Sequence, residues 1–270
     1  MNKKRRKKAE TLFASTWIWE KGKRLAWNED ALYVRGVRTK KGGCFLYGIC
    51  DGMGGSAHGR EASAFVVERL DEWFEEQLLP ILERLAKRPF WRSATKRMRA
   101  NMIKNSGLIF FEEVNNQLFK LGKRDRGGWG TTASVCMIYQ NCFYLFHVGD
   151  SAIFRFGQNG FRRQEGSLTK AHKKGHALTK CLGMNREGSV DFRWGRLGKN
   201  EIFLLCSDGF YGGRKLDGFR EVFGTKLTEK SVENQKKTYQ KRLLEVVESQ
   251  MRRGEQDNLS AILAWRSYGV

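Results

Sequence analysis

The chain is poor in proline, with only Pro80 and Pro89 among 270 residues. It also lacks any Pro/Gly/Ser-rich linker, which points to one continuous domain. No apolar run approaches 18 residues, so a membrane-spanning helix is excluded. The basic run Lys3-Lys4-Arg5-Arg6-Lys7-Lys8 leads into Ala9-Glu10-Thr11 rather than an apolar stretch, so no secretory signal is expected. The six cysteines (Cys44, Cys50, Cys136, Cys142, Cys181 and Cys206) form no CxxC pair and no zinc-type spacing. Several sit inside apolar runs, which reads as buried, reduced thiols of a cytoplasmic protein. Acids are scarce as well: 29 Asp+Glu against 50 Lys+Arg leave a net charge of +21. That surplus suits either a polyanionic partner or a soluble enzyme with a basic face and tail. No helix-turn-helix, zinc-finger or RNA-recognition signature accompanies it. Apolar material is plentiful, 40% hydrophobic and 12% aromatic, which excludes a wholly disordered chain.

Residues 1–10 read as a solvated basic tail, and 11–270 as the single folded domain. Phe45 to Cys50 is a short apolar strand that stops at Asp51-Gly52. From Glu61 to Ala86, Phe65, Val66, Leu70, Trp73, Phe74, Leu78, Ile81, Leu82 and Leu85 recur at three and four, predicting a helix kinked by Pro80. A second helix is predicted from about Ser93 to Leu121. After Gly127-Gly128-Trp129-Gly130 the pattern turns to strands at Thr131–Tyr139, Cys142–Val148 and Ile153–Phe156. Residues 157–200 read as loop-rich and basic. Glu201–Cys206 is a further strand, Ser231–Arg252 a helix, and Leu259–Trp265 the last strand.

One feature recurs along this pattern. Apolar strands end at an aspartate beside glycine or serine: Asp51-Gly52, Asp150-Ser151 and Asp208-Gly209. Asp257-Asn258 stands just before the last strand, and Asn28-Glu29-Asp30 just before Ala31-Leu32-Tyr33-Val34. A single Asp-Gly is ordinarily a turn. Five such acids place short carboxylates at sheet edges, where rigid strands fix them. Gathered at one edge, they would repel each other unless protons or cations intervened. Oxygen ligands of this kind select magnesium, manganese or calcium, with backbone carbonyls and waters completing the shell. The chemistry that follows is a binuclear metal site for phosphate-ester hydrolysis.

The order and wording of these motifs resemble the metal-dependent protein serine/threonine phosphatases, the type 2C or PPM family. The matching pieces are Asn28-Glu29-Asp30, Asp51-Gly52-Met53-Gly54-Gly55, Gly130-Thr131-Thr132-Ala133, His147-Val148-Gly149-Asp150-Ser151, Leu205-Cys206-Ser207-Asp208-Gly209 and Asp257-Asn258-Leu259-Ser260. They stand in the family's order and span about residues 15–266. The resemblance implies an α+β fold, a four-layer α/β/β/α sandwich in which helices flank a central antiparallel β-sandwich with two Mg2+ or Mn2+ ions at one end. It further implies that Asp51 bridges the ions and that the Gly52 carbonyl binds one. Asp208 and Asp257 would hold the other, Glu29 and Asp30 would act directly or through waters, and Asn258 would support Asp257 from behind. A bridging hydroxide would then attack the phosphorus of phosphoserine or phosphothreonine in line. Asp150 is expected to shape the nearby core rather than ligate.

Several positions depart from the family pattern. The phosphate-binding arginine normally stands five residues before the aspartate of Asn-Glu-Asp, where this chain has Leu25; Arg24, one residue earlier, is either its displaced counterpart or a surface cation. Met53 replaces the histidine of many eukaryotic relatives, which leaves His58 as a substitute proton donor or a loop residue without a chemical role. The usual third-ion acid four residues after Asp208 is Gly212, and the position three before Gly130 is Gly127, with Asp125 two residues farther off. A third ion is therefore not expected. Between Leu168-Thr169 and Leu178-Thr179 the family's flap is trimmed to a short basic loop holding His172 and His176, which implies an open site suited to a phosphorylated protein loop.

The leading expectation is a cytoplasmic, monomeric protein phosphatase acting on phosphorylated proteins, without membrane attachment. A phosphatase-like binding module that has lost turnover is the alternative, motivated by the displaced arginine and the missing third-ion acid. A nucleic-acid-binding protein is a third reading, resting on the tail and on Arg84, Lys87, Arg88, Arg92, Lys96, Arg97, Arg99 and Lys104. It leaves the sheet-edge acids unexplained.

Overall fold

A computed structural model of the chain describes residues 11–23, 26–53, 58–87, 95–159, 162–163, 166–169, 171, 173–174, 177–184, 189–212, 216–224, 227, 229 and 231–268. The basic tail, Arg24, His172, His176 and residues 88–94 lie outside the described residues. Strands β1 (Thr11–Glu20), β2 (Asp30–Thr39) and β3 (Gly42–Asp51) come first. Helix α1 (Gly59–Trp73) continues through one π turn (Phe74–Leu78) into α2 (Leu79–Ala86), and α3 (Lys96–Arg124) follows. Next come β4 (Ala133–Tyr139), β5 (Cys142–Val148), β6 (Ala152–Asn159) and four two-residue strands, β7 (Arg162–Arg163), β8 (Gly166–Ser167), β9 (Lys173–Lys174) and β10 (Ala177–Leu178). Strands β11 (Asp191–Arg196) and β12 (Lys199–Cys206), helices α4 (Asp208–Tyr211), α5 (Leu216–Phe223) and α6 (Val232–Arg252), and β13 (Leu259–Tyr268) complete the order.

Strands β9 and β10 pair apart as a two-stranded ribbon, and the others form two antiparallel sheets. One runs β11-β5-β4-β3-β2, the other β1-β13-β12-β6, with β7 and β8 both pairing against β6. Alternation along each strand decides what lies on each side. On β5, Tyr144 and Phe146 face a core shared with Leu70, Trp73 and Phe111 of the first helices, while Phe143 and Leu145 face Phe203 and Leu205 of β12 in the other sheet. On β12, Leu204 and Cys206 face the opposite way, into a third core with Phe219, Leu243 and Val246 of the later helices. Each sheet is therefore covered on both faces, giving the α/β/β/α layering expected. That is why β4 and β5 read as unbroken apolar runs: every residue in them is buried. Each such side chain removed from water contributes roughly 1.5–3 kcal/mol. All six cysteines are buried and free. No helix among the described residues is long and apolar enough to cross a membrane.

Pro80 stands in the first turn of α2, just after the π turn. It cannot donate a backbone hydrogen bond to the preceding turn, and the helix widens into the π turn just before it while Phe74 and Leu78 stay buried. Helix α3 begins later than predicted, because Thr95 caps it by accepting from the Met98 amide at 3.1 Å. Three expectations need correction. Residues 11–20 carry no strand or helix pattern, yet β1 pairs with β13 along its whole length, from Thr11 opposite Tyr268 to Glu20 opposite Leu259. Within the stretch read as loop, 191–196 is an edge strand on β5. Arg99, counted with the basic surface, is 7% exposed and donates to the Tyr144 hydroxyl (2.8 Å) and Gln140 Oε1 (2.7 Å). It occupies the inner face of α3.

A buried ion pair braces the second sheet. The Arg155 guanidinium on β6 makes two bonds to the Glu201 carboxylate on β12, at 2.8 and 2.6 Å, and the Gly198 amide donates to the same carboxylate at 2.7 Å. Glu201→Leu alone leaves a buried cation without its partner and should cost about 3–5 kcal/mol, whereas Arg155→Met with Glu201→Leu should recover most of that loss. Equilibrium unfolding of wild type and the two variants checks this; a single variant as stable as the double would contradict it.

Candidate active site

Strand register builds the site. Asp30 begins β2, Asp51 ends β3, and the two are direct antiparallel partners. Side chains of such partners project to the same side of the sheet a few ångströms apart, where like charges repel. The other sheet ends at the same place. Asp208 follows β12 and Asp257 precedes β13, and the Ser207 amide donates to the Ser260 carbonyl at 3.0 Å, pairing the two strand ends. Four aspartates from two sheets thus lie within one another's field.

The protonation behaviour follows. Burial raises the Asp30 carboxyl from its ordinary 3.8 to about 7; the hydroxyls of Ser260 and Ser207 pull it back in part, and the charges of Asp208 and Asp257 push it up again. Asp51 is driven well above the usual carboxylate range, first by burial and then by the charges of Asp30, Asp208, Asp150 and Asp257. Asp150, which the motifs set apart, is buried and contributes to this repulsion.

Neutral motif residues hold the acids against that repulsion. The Asp51 carbonyl accepts from the Thr131 hydroxyl (2.9 Å) and the Thr132 amide (2.8 Å), while the Asp51 amide donates to Thr132 Oγ1 at 3.0 Å. Thr132 Oγ1 in turn bonds the Ser151 hydroxyl at 2.8 Å. Gly130-Thr131-Thr132-Ala133 and Asp150-Ser151 are therefore the backing of Asp51. Asn258 joins the two sheets: its Oδ1 accepts from the Glu29 amide at 2.8 Å, its side-chain amide donates to the Lys21 carbonyl, and its backbone amide donates to Asp257 Oδ1 at 2.8 Å. Glu29 is anchored further where its carbonyl accepts from the Gly52 amide (3.1 Å) and the Ser63 hydroxyl (2.5 Å). Only glycine fits at position 52, because a Cβ there would lie 2.3 Å from the Gly59 carbonyl oxygen.

The donors suit a hard divalent cation. Both carboxylate oxygens of Asp30 are buried and make no hydrogen bond of normal geometry, a state that calls for a proton or a cation. Among the described residues, no three Asp, Glu, His or Cys side chains already close on one point at ligating distance. Magnesium-type sites need few protein ligands, since waters fill much of the shell. The Gly52 carbonyl is the further oxygen expected to contribute.

The two positions weighed for a third-ion acid are both described. Gly212 ends α4 in the left-handed conformation (φ 46°), and a Cβ there would meet Gln250 Nε2 at 2.2 Å, so an acid at this position would displace Gln250. Asp125 is engaged elsewhere: Arg124 donates to both of its oxygens (2.6 and 3.1 Å) and the Trp129 indole to Oδ2 (3.0 Å), and the Arg124 bond holds its carboxyl below the ordinary value. His58, just before α1, stacks on Trp129 with ring centroids 5.0 Å apart.

Two antiparallel sheets flanked by helices, with aspartates where the strands end, define an α+β sandwich class. The chain belongs to the protein phosphatase 2C family, whose sequence profile matches residues 23–264. No curated protein matches the chain. Among solved structures it is similar to the serine/threonine phosphatase Stp1 from Staphylococcus aureus, at 20% identity and TM-score 0.71 over 96% of each chain. It is also similar to the catalytic domain of the serine/threonine protein phosphatase PstP in complex with two manganese ions (19% identity, TM-score 0.65, 95% of this chain and 99% of that one). A third similar structure is PppA of Pseudomonas aeruginosa, described as a key regulatory component of T6SS (18% identity, TM-score 0.67, 95% of this chain and 100% of that one). At these identities the likeness is one of fold.

The electrostatics make a signed prediction. A carboxyl whose pKa rises on folding destabilises the fold as pH climbs from its unfolded value near 3.8, and the penalty is complete above about 7. Metal-free protein, stripped with chelator, should therefore lose stability between those pH values. Asp30→Asn should stabilise that form at pH 8 by a few kcal/mol, on the order of what such a shift implies. Thermal melts in EDTA at pH 5 and pH 8 measure it, and a variant melting below wild type at pH 8 would count against a raised Asp30 carboxyl.

Proposed function

We propose that this chain is a divalent-metal-dependent protein serine/threonine phosphatase that hydrolyses phosphoserine and phosphothreonine in proteins. The observation that carries this reading is the convergence of Asp30, Asp51, Asp208 and Asp257 at one end of the sandwich, with both Asp30 oxygens buried and making no hydrogen bond of normal geometry. Asp51, Asp208 and Asp257, with the Gly52 carbonyl and with Glu29 and Asp30 directly or through water, would hold two Mg2+ or Mn2+ ions. Such ions, when bound, supply Lewis acidity that activates water as the nucleophile and neutralises phosphoryl charge. The chain's own work is positional. Thr131 and Thr132 fix the height of Asp51 at the strand end, and Asn258 sets Asp257 and Glu29 together across the two sheets, so little reorganisation is needed as charge develops. Arg24 is assigned to the substrate phosphate, which its planar guanidinium can grip with two hydrogen bonds. The surplus positive charge steers phosphorylated, acidic partners toward the site. We further assign the protein to the cytoplasm as a monomer.

A phosphatase-like binding module without turnover is the second reading. It is favoured by the way Gly212 and Asp125 are committed elsewhere. One assay separates the two. The phosphatase reading expects manganese-stimulated hydrolysis of p-nitrophenyl phosphate and of a phosphothreonine peptide, abolished by EDTA. Asp51→Asn and Asp208→Asn should each lower kcat by more than about 100-fold, and Asn258→Ala by about 10- to 100-fold. Tight phosphopeptide binding by folded, metal-loaded protein that turns nothing over would select the binding module instead.

A further inference from the structure

The rim of the site carries an arrangement that metal binding does not require. Trp27 is 65% exposed, and the Arg60 guanidinium lies over its ring, 5.2 Å from the centroid. The pair is local to the acids. Trp27 stands two residues before Glu29, and Arg60 follows Gly59, where an added Cβ would lie 3.1 Å from Glu29 Oε2. The Ser63 hydroxyl bonds the Glu29 carbonyl at 2.5 Å and the Arg60 carbonyl at 3.0 Å, clamping the first turn of α1 onto the segment that carries Trp27. On the other side of Asp30, the half-exposed Trp19 donates its indole N–H to the Asp30 carbonyl at 2.7 Å. Trp19 bonds Asp30 from β1, while Trp27 stands three residues before Asp30 in the chain.

A lone exposed tryptophan needs no explanation. Here the ring is coupled to a cation, and the cation is held by an aromatic plane instead of a carboxylate: among the described residues no acid pairs with Arg60. Stacking on an indole orients a guanidinium while leaving its N–H donors available in its own plane. Lys23 extends the positive rim on the Asp257 side, where its amide bonds the Gln256 carbonyl at 3.0 Å. A peptide whose phosphoryl group sits among the aspartates must pass its neighbouring residues over this rim.

Building on the phosphatase reading above, we propose that Arg60, oriented by Trp27, is a specificity determinant that receives an acidic side chain flanking the phosphorylated residue. The favoured substrate is then a phosphopeptide with aspartate or glutamate beside the phosphoresidue.

The test compares phosphothreonine peptides that differ only in one Asp or Ala, walked over the three positions on either side of the phosphoresidue. The readout is the Asp-to-Ala ratio of kcat/KM within each protein, so a general loss of activity cancels. Wild type should favour Asp at one or more positions by about three- to tenfold, expressed in KM and fading with added salt. Arg60→Ala should bring the ratio to about one, Arg60→Lys should keep part of it, and Trp27→Ala should lie between wild type and Arg60→Ala. A wild-type ratio near one at every position, or a preference that survives Arg60→Ala, overturns the proposal. If wild type with manganese hydrolyses no peptide, the phosphatase reading fails by itself. Fluorescence polarisation with the same peptides, labelled, then decides: Asp-dependent binding lost with Arg60 supports the proposal, and binding indifferent to Arg60, or absent, overturns it.

Discussion

Everything at the working end of this molecule follows from placing carboxylates where they repel. Asp30 and Asp51 are cross-strand partners, so their opposition is fixed by the register of β2 and β3 and cannot relax without shifting a whole sheet. Asp208, just past the end of β12, and Asp257, just before β13, are brought to the same end by the second sheet. Burial first, and then the repulsion held in place by the two sheets, raises the affinity of Asp30 and Asp51 for protons and creates a demand for positive charge. A divalent cation answers it with more charge per site than a proton does.

The rest of the fold is organised to keep that opposition in place. Three apolar layers lock the sheets to one another and to the helices on their outer faces. At the end of the sandwich, where apolar packing gives out, hydrogen bonds take over. Thr131 and Thr132 hold the backbone of Asp51, and Asn258 ties the loop before β13 to Glu29 of the opposite sheet. These neutral residues stabilise a charged arrangement by satisfying backbone groups that would otherwise be buried without partners.

Much of this was legible in the residues. Strands β3, β5 and β12 announce themselves as apolar runs because both faces are buried, and the aspartates stand out because each marks a strand end. The threonine and serine motifs could be located, but not their task, since their bonds to Asp51 span some 80 residues. Strand β1 escaped because it mixes exposed Trp17 and Trp19 with buried Thr16 and Ile18, so that neither face is uniformly apolar. Strand β11 did carry a signal, the alternation of Phe192 and Trp194 with charged residues, which was masked by the basic composition around it. Arg99 misled for the opposite reason: its charge matched its neighbours in the chain, while helical phase turned it inward toward Tyr144. The Trp27–Arg60 stack joins positions 33 residues apart, and no local pattern encodes it.

The central claim is that the convergent aspartates exist to hold divalent cations. Anomalous diffraction from crystals soaked in manganese tests it most directly. Two manganese peaks bounded by the carboxylates of Asp51, Asp208 and Asp257 are expected. A map with no peak among those carboxylates, from crystals that take up manganese elsewhere, would contradict it.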